Sequence, residues 1–116
     1  MAIGSHTYDH PVLARMPEAI QLSELTRSKQ ALESQTGGPI RAMAYPVGGS
    51  DAFSDSTKRL AREAGFRAAF SYYGGFNRPD TFDPFDLRRI AIERYDSLNI
   101  TKLRLNMWNL TGSGVL

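Results

Sequence analysis

His6 and His10 are the only histidines among 116 residues, four apart in the stretch Ile3-Gly-Ser-His-Thr-Tyr-Asp-His-Pro11. A neutral imidazole is a common ligand for zinc and related divalent metals. Two of them at this spacing can meet one ion from a helix or a tight loop. The spacing alone also fits two ordinary loop histidines. A hydrolytic zinc centre needs a third protein ligand plus an open position for water, so the pair would be an incomplete set. Between them, Thr7 can brace the loop through its hydroxyl, and Asp9 can orient an imidazole from behind. Asp9 and Asp51 are the nearest acidic candidates for a further ligand, and each also reads as a solvated loop or helix-entry residue.

The chain alternates short apolar runs with helical stretches, which argues for βα units. MAIGSHT starts as a strand that turns polar at Gly4, so the histidines follow a strand end, where α/β folds place ligands. Pro17 can occupy a first helical turn, with Ile20, Leu22, Leu25 and Leu32 as an apolar stripe, and QTGGP at 35–39 ends that helix. IRAMAYPV is the next strand. Ser54 is placed to cap DSTKRLAREAG, with Leu60, Ala61 and Ala64 inward, Gly65 left-handed and Phe66 folded back on Ala61. RAAFSYY is a third strand, LRRIAIERY a fourth, and SLNITKLRLNMWNL a closing helix with Ile100, Leu103, Met107 and Leu110 on one side. The tail from 111 to 116 is expected to fray. The order β-α-β-α-β-β-α predicts a single α/β domain over 1–116 with a parallel sheet and flanking helices.

Composition narrows the classes. Hydrophobic residues make up 41% and charged residues 22%, with 14 basic and 12 acidic side chains scattered together. No basic run suggests nucleic acid, and no apolar stretch is long enough to cross a bilayer. The start of the chain lacks the layout of a secretory signal, so as written it is expected to stay in the cytoplasm. The chain has no cysteine, which excludes disulfides, thiolate ligands and cysteine nucleophiles. AYPVGGSD lacks the lysine and glycine spacing of a phosphate loop. Tyr72, Tyr73, Phe76, Phe82 and Phe85 read as a sugar platform or as loop packing, with packing favoured. Arg88 and Arg89 alternate, one toward the sheet interior and one outward, as an ion pair, solvated groups or substrate contacts. Met107 and Trp108 read as core or dimer contacts.

The order of motifs adds to this. GSHTYDHP at 4–11, a helix carrying Ser28-Lys29, AYPVGG at 44–49 and AREAGFRAAFSYYGG at 61–75 resemble the polysaccharide deacetylase family. The zinc-dependent members of that family are carbohydrate esterases, and the likeness runs from about Ile3 to Glu93. The resemblance implies an irregular (β/α) barrel with its site at the carboxyl ends of the strands. It makes His6 and His10 the zinc-binding histidines and Thr7 the hydroxyl residue that steadies their loop. In Ala44-Tyr45-Pro46-Val47-Gly48, Ala44 stands where the family often has an arginine steering the catalytic base. Val47 stands where it often has a tyrosine whose backbone N–H serves the oxyanion, and Val47 can still offer that N–H. Tyr45 and Pro46 fall on the substrate side of the motif.

The resemblance also marks what is missing. The family's catalytic base and third zinc ligand are neighbouring aspartates on the first strand, and its general acid is a late histidine. This chain starts at the histidine motif, has no Asp-Asp pair and has no histidine after His10. The expectation is a truncated, barrel-like deacetylase domain with a remnant His-x-x-x-His site. It would hold zinc or another divalent metal weakly and catalyse little or nothing alone. Strand edges left by the missing segment are expected to pair in a homodimer. Two alternatives stay open: an active metal-dependent carbohydrate N- or O-deacetylase completed by another chain, and a carbohydrate- or protein-binding module. An acetylated glycan is the implied ligand.

Overall fold

A computed structural model describes residues 1–111 of the chain, with side chains through Asn106. In order, it has a 3-10 turn at Leu13–Arg15, helix α1 at Glu18–Thr36, strand β1 at Ala42–Ala44, helix α2 at Asp55–Glu63, strand β2 at Ala68–Phe70 and helix α3 at Leu98–Thr111. β1 and β2 run parallel with Met43 opposite Ala69. Single parallel bridges extend them on either side, Ser5 to Met43 and Phe70 to Leu87. Four segments thus lie side by side in chain order, the first three joined through α1 and α2. The α/β class and the parallel pairing expected from the sequence are present in this small form, and no closed barrel is formed among the described residues.

Two of the four expected strands shrink to single bridges. Ser5 is paired along one side, donating its N–H to Ala42 O at 2.9 Å and accepting from Ala44 N at 2.8 Å. Among the described residues, the segment expected as a strand over 87–95 pairs with β2 only at Leu87. Leu87 donates its N–H to Ala69 O at 2.9 Å and accepts from Ser71 N at 2.9 Å, while Asn77 engages the next residue on the outer edge. Asn77 Oδ1 accepts from Arg88 N at 2.8 Å, and Asn77 Nδ2 donates to Arg88 O at 3.1 Å. An outer-edge donor and acceptor engaged in this way are closed to a further strand at that residue.

Helix α2 follows its sequence signals. Ser54 Oγ accepts from Thr57 N at 3.2 Å while Thr57 Oγ1 accepts from Ser54 N at 3.1 Å, a reciprocal capping box. Gly65 is left-handed at φ +98°, and Phe66 N donates to Ala61 O at 3.1 Å, closing the helix. Phe66 and Ala61 both lie in the core. Helix α1 departs from its expected stripe. Leu25 is fully buried and Leu22 and Leu32 are partly buried, but Ile20 is exposed. The buried line is Gln21, Glu24, Leu25 and Ser28, at helical spacing but mostly polar. Gln21 bridges to α2, its Oε1 accepting from Thr57 Oγ1 at 2.7 Å.

The core lies on the helix side of the sheet, where Met43 and Ala69 face Leu25, Leu60 and Phe66. Burying a leucine as fully as Leu25 contributes about 1.5–3 kcal/mol. The alternate positions Ala42, Ala44, Ala68 and Phe70 are half-buried on the opposite face.

Helix α3 does not close the molecule as expected. Ile100 and Leu103 remain 43% and 49% exposed, as do Leu98 and Leu105 to similar or greater degree. Arg104 pairs with Asp96, so the helix is tied to its own entry turn. The side chains of Met107, Trp108 and Leu110 and the tail beyond Thr111 lie outside the described residues.

Candidate metal and active site

The two imidazoles converge. His6 Nε2 and His10 Nε2 are 3.1 Å apart, and the rings meet edge to face with centroids 4.7 Å apart. His6 Nδ1 donates to Ala44 O at 2.8 Å, which leaves its Nε2 lone pair facing His10. Two nitrogens each about 2.0–2.1 Å from one zinc ion at a near-tetrahedral angle stand about 3.0–3.4 Å apart. The observed separation therefore fits two ligands of one cation. Among the described residues no third histidine or carboxylate joins them.

The loop that aims the rings is strained and then pinned. Thr7 and His10 have φ +66° and +59°, and Val47 has φ +65°; these are the non-glycine residues with positive φ among the described residues. Residues held this way concentrate at functional sites. Thr7 Oγ1 accepts from His10 N at 3.2 Å. Beneath the loop, the buried Glu24 carboxylate accepts from Tyr8 N at 2.9 Å and Asp9 N at 2.8 Å, both on Oε2. Ser28 Oγ meets Ser5 Oγ at 2.7 Å at the strand end. Within the polar line of α1, Glu24 and Ser28 thus hold the histidine loop and the strand end before it, while Gln21 serves α2.

A cavity of about 210 Å³ opens beside His6, lined also by Tyr45, Val47, Tyr72 and Arg89. The N–H of Val47 donates to no group among the described residues. Gly48 follows at φ +74°, where a Cβ would lie 2.8 Å from Tyr72 Cβ, and its carbonyl accepts from Tyr72 N at 2.7 Å. Only glycine allows this approach. Arg89 Nε donates to Ser71 O at 2.9 Å, which holds the guanidinium over the Tyr72 ring. A wider hollow of about 510 Å³ runs from His6 along Ile3, Ala42, Ala44 and Phe70, and Arg89 borders it too.

Sequence and structure place several residues differently. The Asp9 carboxylate hydrogen-bonds neither imidazole. Its amide turns inward to Glu24, its side chain stays exposed, and the group orienting His6 is the Ala44 carbonyl. Asp51 is likewise exposed and joins no cluster with the histidines. Tyr45 is 1% exposed, stacks on Phe53 at 4.2 Å and donates its hydroxyl to Phe85 O at 2.8 Å. Its phenol is held well above the usual tyrosine range by that burial, then by Asp83 and Asp86. Its side chain therefore holds the fold. Pro46 is fully buried.

Of the two arginines, Arg89 faces the cavity and Arg88 packs over Tyr73 at 4.0 Å. Glu24 was missed by sequence reasoning, because it falls within an apparently amphipathic helix. The signal that could have found it is the polar spacing of residues 21, 24 and 28.

Comparisons with known proteins agree on one family. The sequence pattern of the polysaccharide deacetylase family matches residues 1–69, more than half of the chain. No curated protein sequence matches it closely. Among solved structures, the deacetylase PplD of Streptococcus pyogenes, determined in complex with acetate, superimposes with a TM-score of 0.76 at 25% identity, covering 86% of this chain and 42% of that one. A polysaccharide deacetylase from Bacillus cereus gives 0.72 at 24% identity, covering 88% and 31%. A de-N-acetylase from Aggregatibacter actinomycetemcomitans shares the fold at 0.70 and 18% identity, covering 87% and 46%. The chain spans less than half the length of each of these structures. With the histidine motif and the strand-end motif both inside the matched region, the chain belongs to the polysaccharide deacetylase family.

Proposed function

We propose that this chain is the histidine-bearing part of a metal-dependent carbohydrate deacetylase, holding a divalent cation through His6 and His10 and hydrolysing little alone. The observation that carries the reading is the 3.1 Å approach of two Nε2 atoms, one with its tautomer set by Ala44 O. A divalent cation held there would acidify a bound water and polarise an acetyl carbonyl. The chain's own residues supply positioning and one backbone donor. Glu24 and Thr7 keep the imidazoles aimed. The Val47 N–H is available to a developing oxyanion. Arg89 and Tyr72 border the space a sugar would fill.

Deacetylation also needs a carboxylate to take a proton from water and an acid for the leaving group. Neither stands at the histidine pair among the described residues. Release of acetate from an acetylated glucosamine oligomer tests this. The chain alone should give no release above background. Hydrolysis that dies on chelation and on His6→Ala would overturn the reading.

A second reading is favoured by the open side of the sheet. The edge at Ile3–Ser5 and the half-buried face of Ala42, Ala44 and Phe70 border the larger hollow. Pairing there with a second copy would cover both and could bring a carboxylate toward the histidines. A concentration-dependent dimer in light scattering supports this, and a monomer at all concentrations removes it.

A further inference from the structure

Tyr8 stands between the two histidines, and it is 49% exposed on their loop. A half-exposed ring would ordinarily move among its rotamers. Here the Arg27 guanidinium lies over it, with Cζ 3.9 Å from the ring centroid. This is the shortest cation–ring contact among the described residues, the next being Arg88 over Tyr73 at 4.0 Å. Arg59, Arg88 and Arg104 are all drawn to carboxylates. The Arg27 side chain enters no ion pair or hydrogen bond among the described residues, so the Tyr8 ring is its partner. A flat, delocalised guanidinium is suited to stacking in this way.

The place of Arg27 on α1 matters. It follows Glu24 by three residues, about one helical turn, and immediately precedes Ser28. Glu24 accepts from the Tyr8 amide at 2.9 Å, and Ser28 Oγ meets Ser5 Oγ at 2.7 Å. One face of the helix therefore holds the strand end, the Tyr8 backbone and the Tyr8 ring.

A second hold on Tyr8 has a physical reason. Thr7 at φ +66° and His10 at φ +59° keep a costly conformation, which persists only where the surroundings over-determine it. Glu24 fixes the amides of Tyr8 and Asp9 but leaves the Tyr8 side chain to turn. Tyr8 lies two residues from His6 and two from His10, so a tilt there moves both imidazoles. Arg27 hydrogen-bonds neither imidazole and reaches them only through that ring. We propose that Arg27 is a positioning residue of the histidine site, its guanidinium stacked on Tyr8 to keep both imidazoles aimed at one cation; this rests on the reading of the histidine pair above.

Zinc calorimetry and amide hydrogen exchange on the whole chain, purified without a histidine tag, test it. Arg27→Ala should weaken zinc binding about two- to fivefold while leaving thermal unfolding unchanged. Removing a positive charge would by itself help a cation bind, so a loss reports position rather than charge. Tyr8→Phe keeps the ring and should keep the affinity, whereas Tyr8→Leu should lose as much as Arg27→Ala. Adding Arg27→Ala to Tyr8→Leu should then change nothing more. In the metal-free chain, Arg27→Ala should speed exchange of the Tyr8 and Asp9 amides by a similar factor, while the Ala64 amide of α2 keeps its rate. Unaltered zinc affinity in Arg27→Ala, a full further loss in the Tyr8→Leu background, or equal acceleration at Ala64 would overturn the proposal. Should the unaltered chain bind no zinc, the shared-cation reading fails. The exchange rates then decide the clamp by themselves, and unchanged Tyr8 and Asp9 amides overturn it.

Discussion

Between Ser5 and Phe66, polar side chains reach across elements to named partners: Ser28 to Ser5, Glu24 to the amides of Tyr8 and Asp9, Thr57 to Gln21. From Ile92 to Leu105, large apolar side chains stand open to solvent, with Ile92 at 69% and Tyr95 at 89% exposure. One region spends buried polar groups to fix a loop within a hydrogen bond's tolerance. The other forms a helix by local pairing, with little of its apolar surface covered. The contrast shows where precision is needed. A pair of imidazoles can share one cation only if both ring planes are set, and that demand reaches down through the loop into α1.

Core truncation should break the contrast most visibly. Leu25→Ala removes a fully buried side chain and is expected to cost about 2–5 kcal/mol in denaturant unfolding, whereas Leu103→Ala should cost under about 0.5 kcal/mol. Equal losses would show that α3 packs as firmly as α1. Next comes the clamp. Glu24→Ala strands two amides and should cost about 1–3 kcal/mol while weakening zinc binding about 10- to 100-fold. Glu24→Gln keeps an acceptor and should fall between. A variant that unfolds earlier but binds zinc undiminished would make Glu24 merely structural.

Smaller effects sharpen the picture. Val47→Gly relieves a left-handed β-branched residue, worth about 1–2 kcal/mol, against an entropic loss of about 0.5–1 kcal/mol. A net gain in melting temperature is expected, where most exposed-loop substitutions give none. The smallest effect is alkaline. Burial first, then the hydrogen bond and charge of Asp86, push the Tyr73 phenol up to about 12. The folded chain then holds a proton that the unfolded chain loses near 10. Its contribution is whole below that pH and is lost as pH rises toward about 12. Tyr73→Phe should flatten this fall in a pH series of unfolding curves.

Much of this was legible from residues with strong local rules. Ser54 before a helix, Gly65 after it and Gly37 at the end of α1 act through their own backbone, so sequence suffices. The histidine pair was legible because rare residues at ligand spacing stand out. What stayed hidden depends on distant partners. Glu24 lies 16 and 15 residues from the two amides it holds, and nothing in the helix marks which carboxylate will be buried. Asp9 sits between the histidines, yet backbone direction turns it away. The fourth strand alternates well over 87–95, yet among the described residues only Leu87 pairs, with Phe70. Local pattern cannot foresee how far a neighbouring strand will run alongside.

The central claim is that His6 and His10 act together on one cation. Zinc titration of the chain, purified without a histidine tag and monitored by calorimetry, tests it most directly. The account predicts one equivalent bound, with binding abolished by either His6→Ala or His10→Ala. Zinc binding that survives both substitutions, or its absence from the unaltered chain, would contradict it.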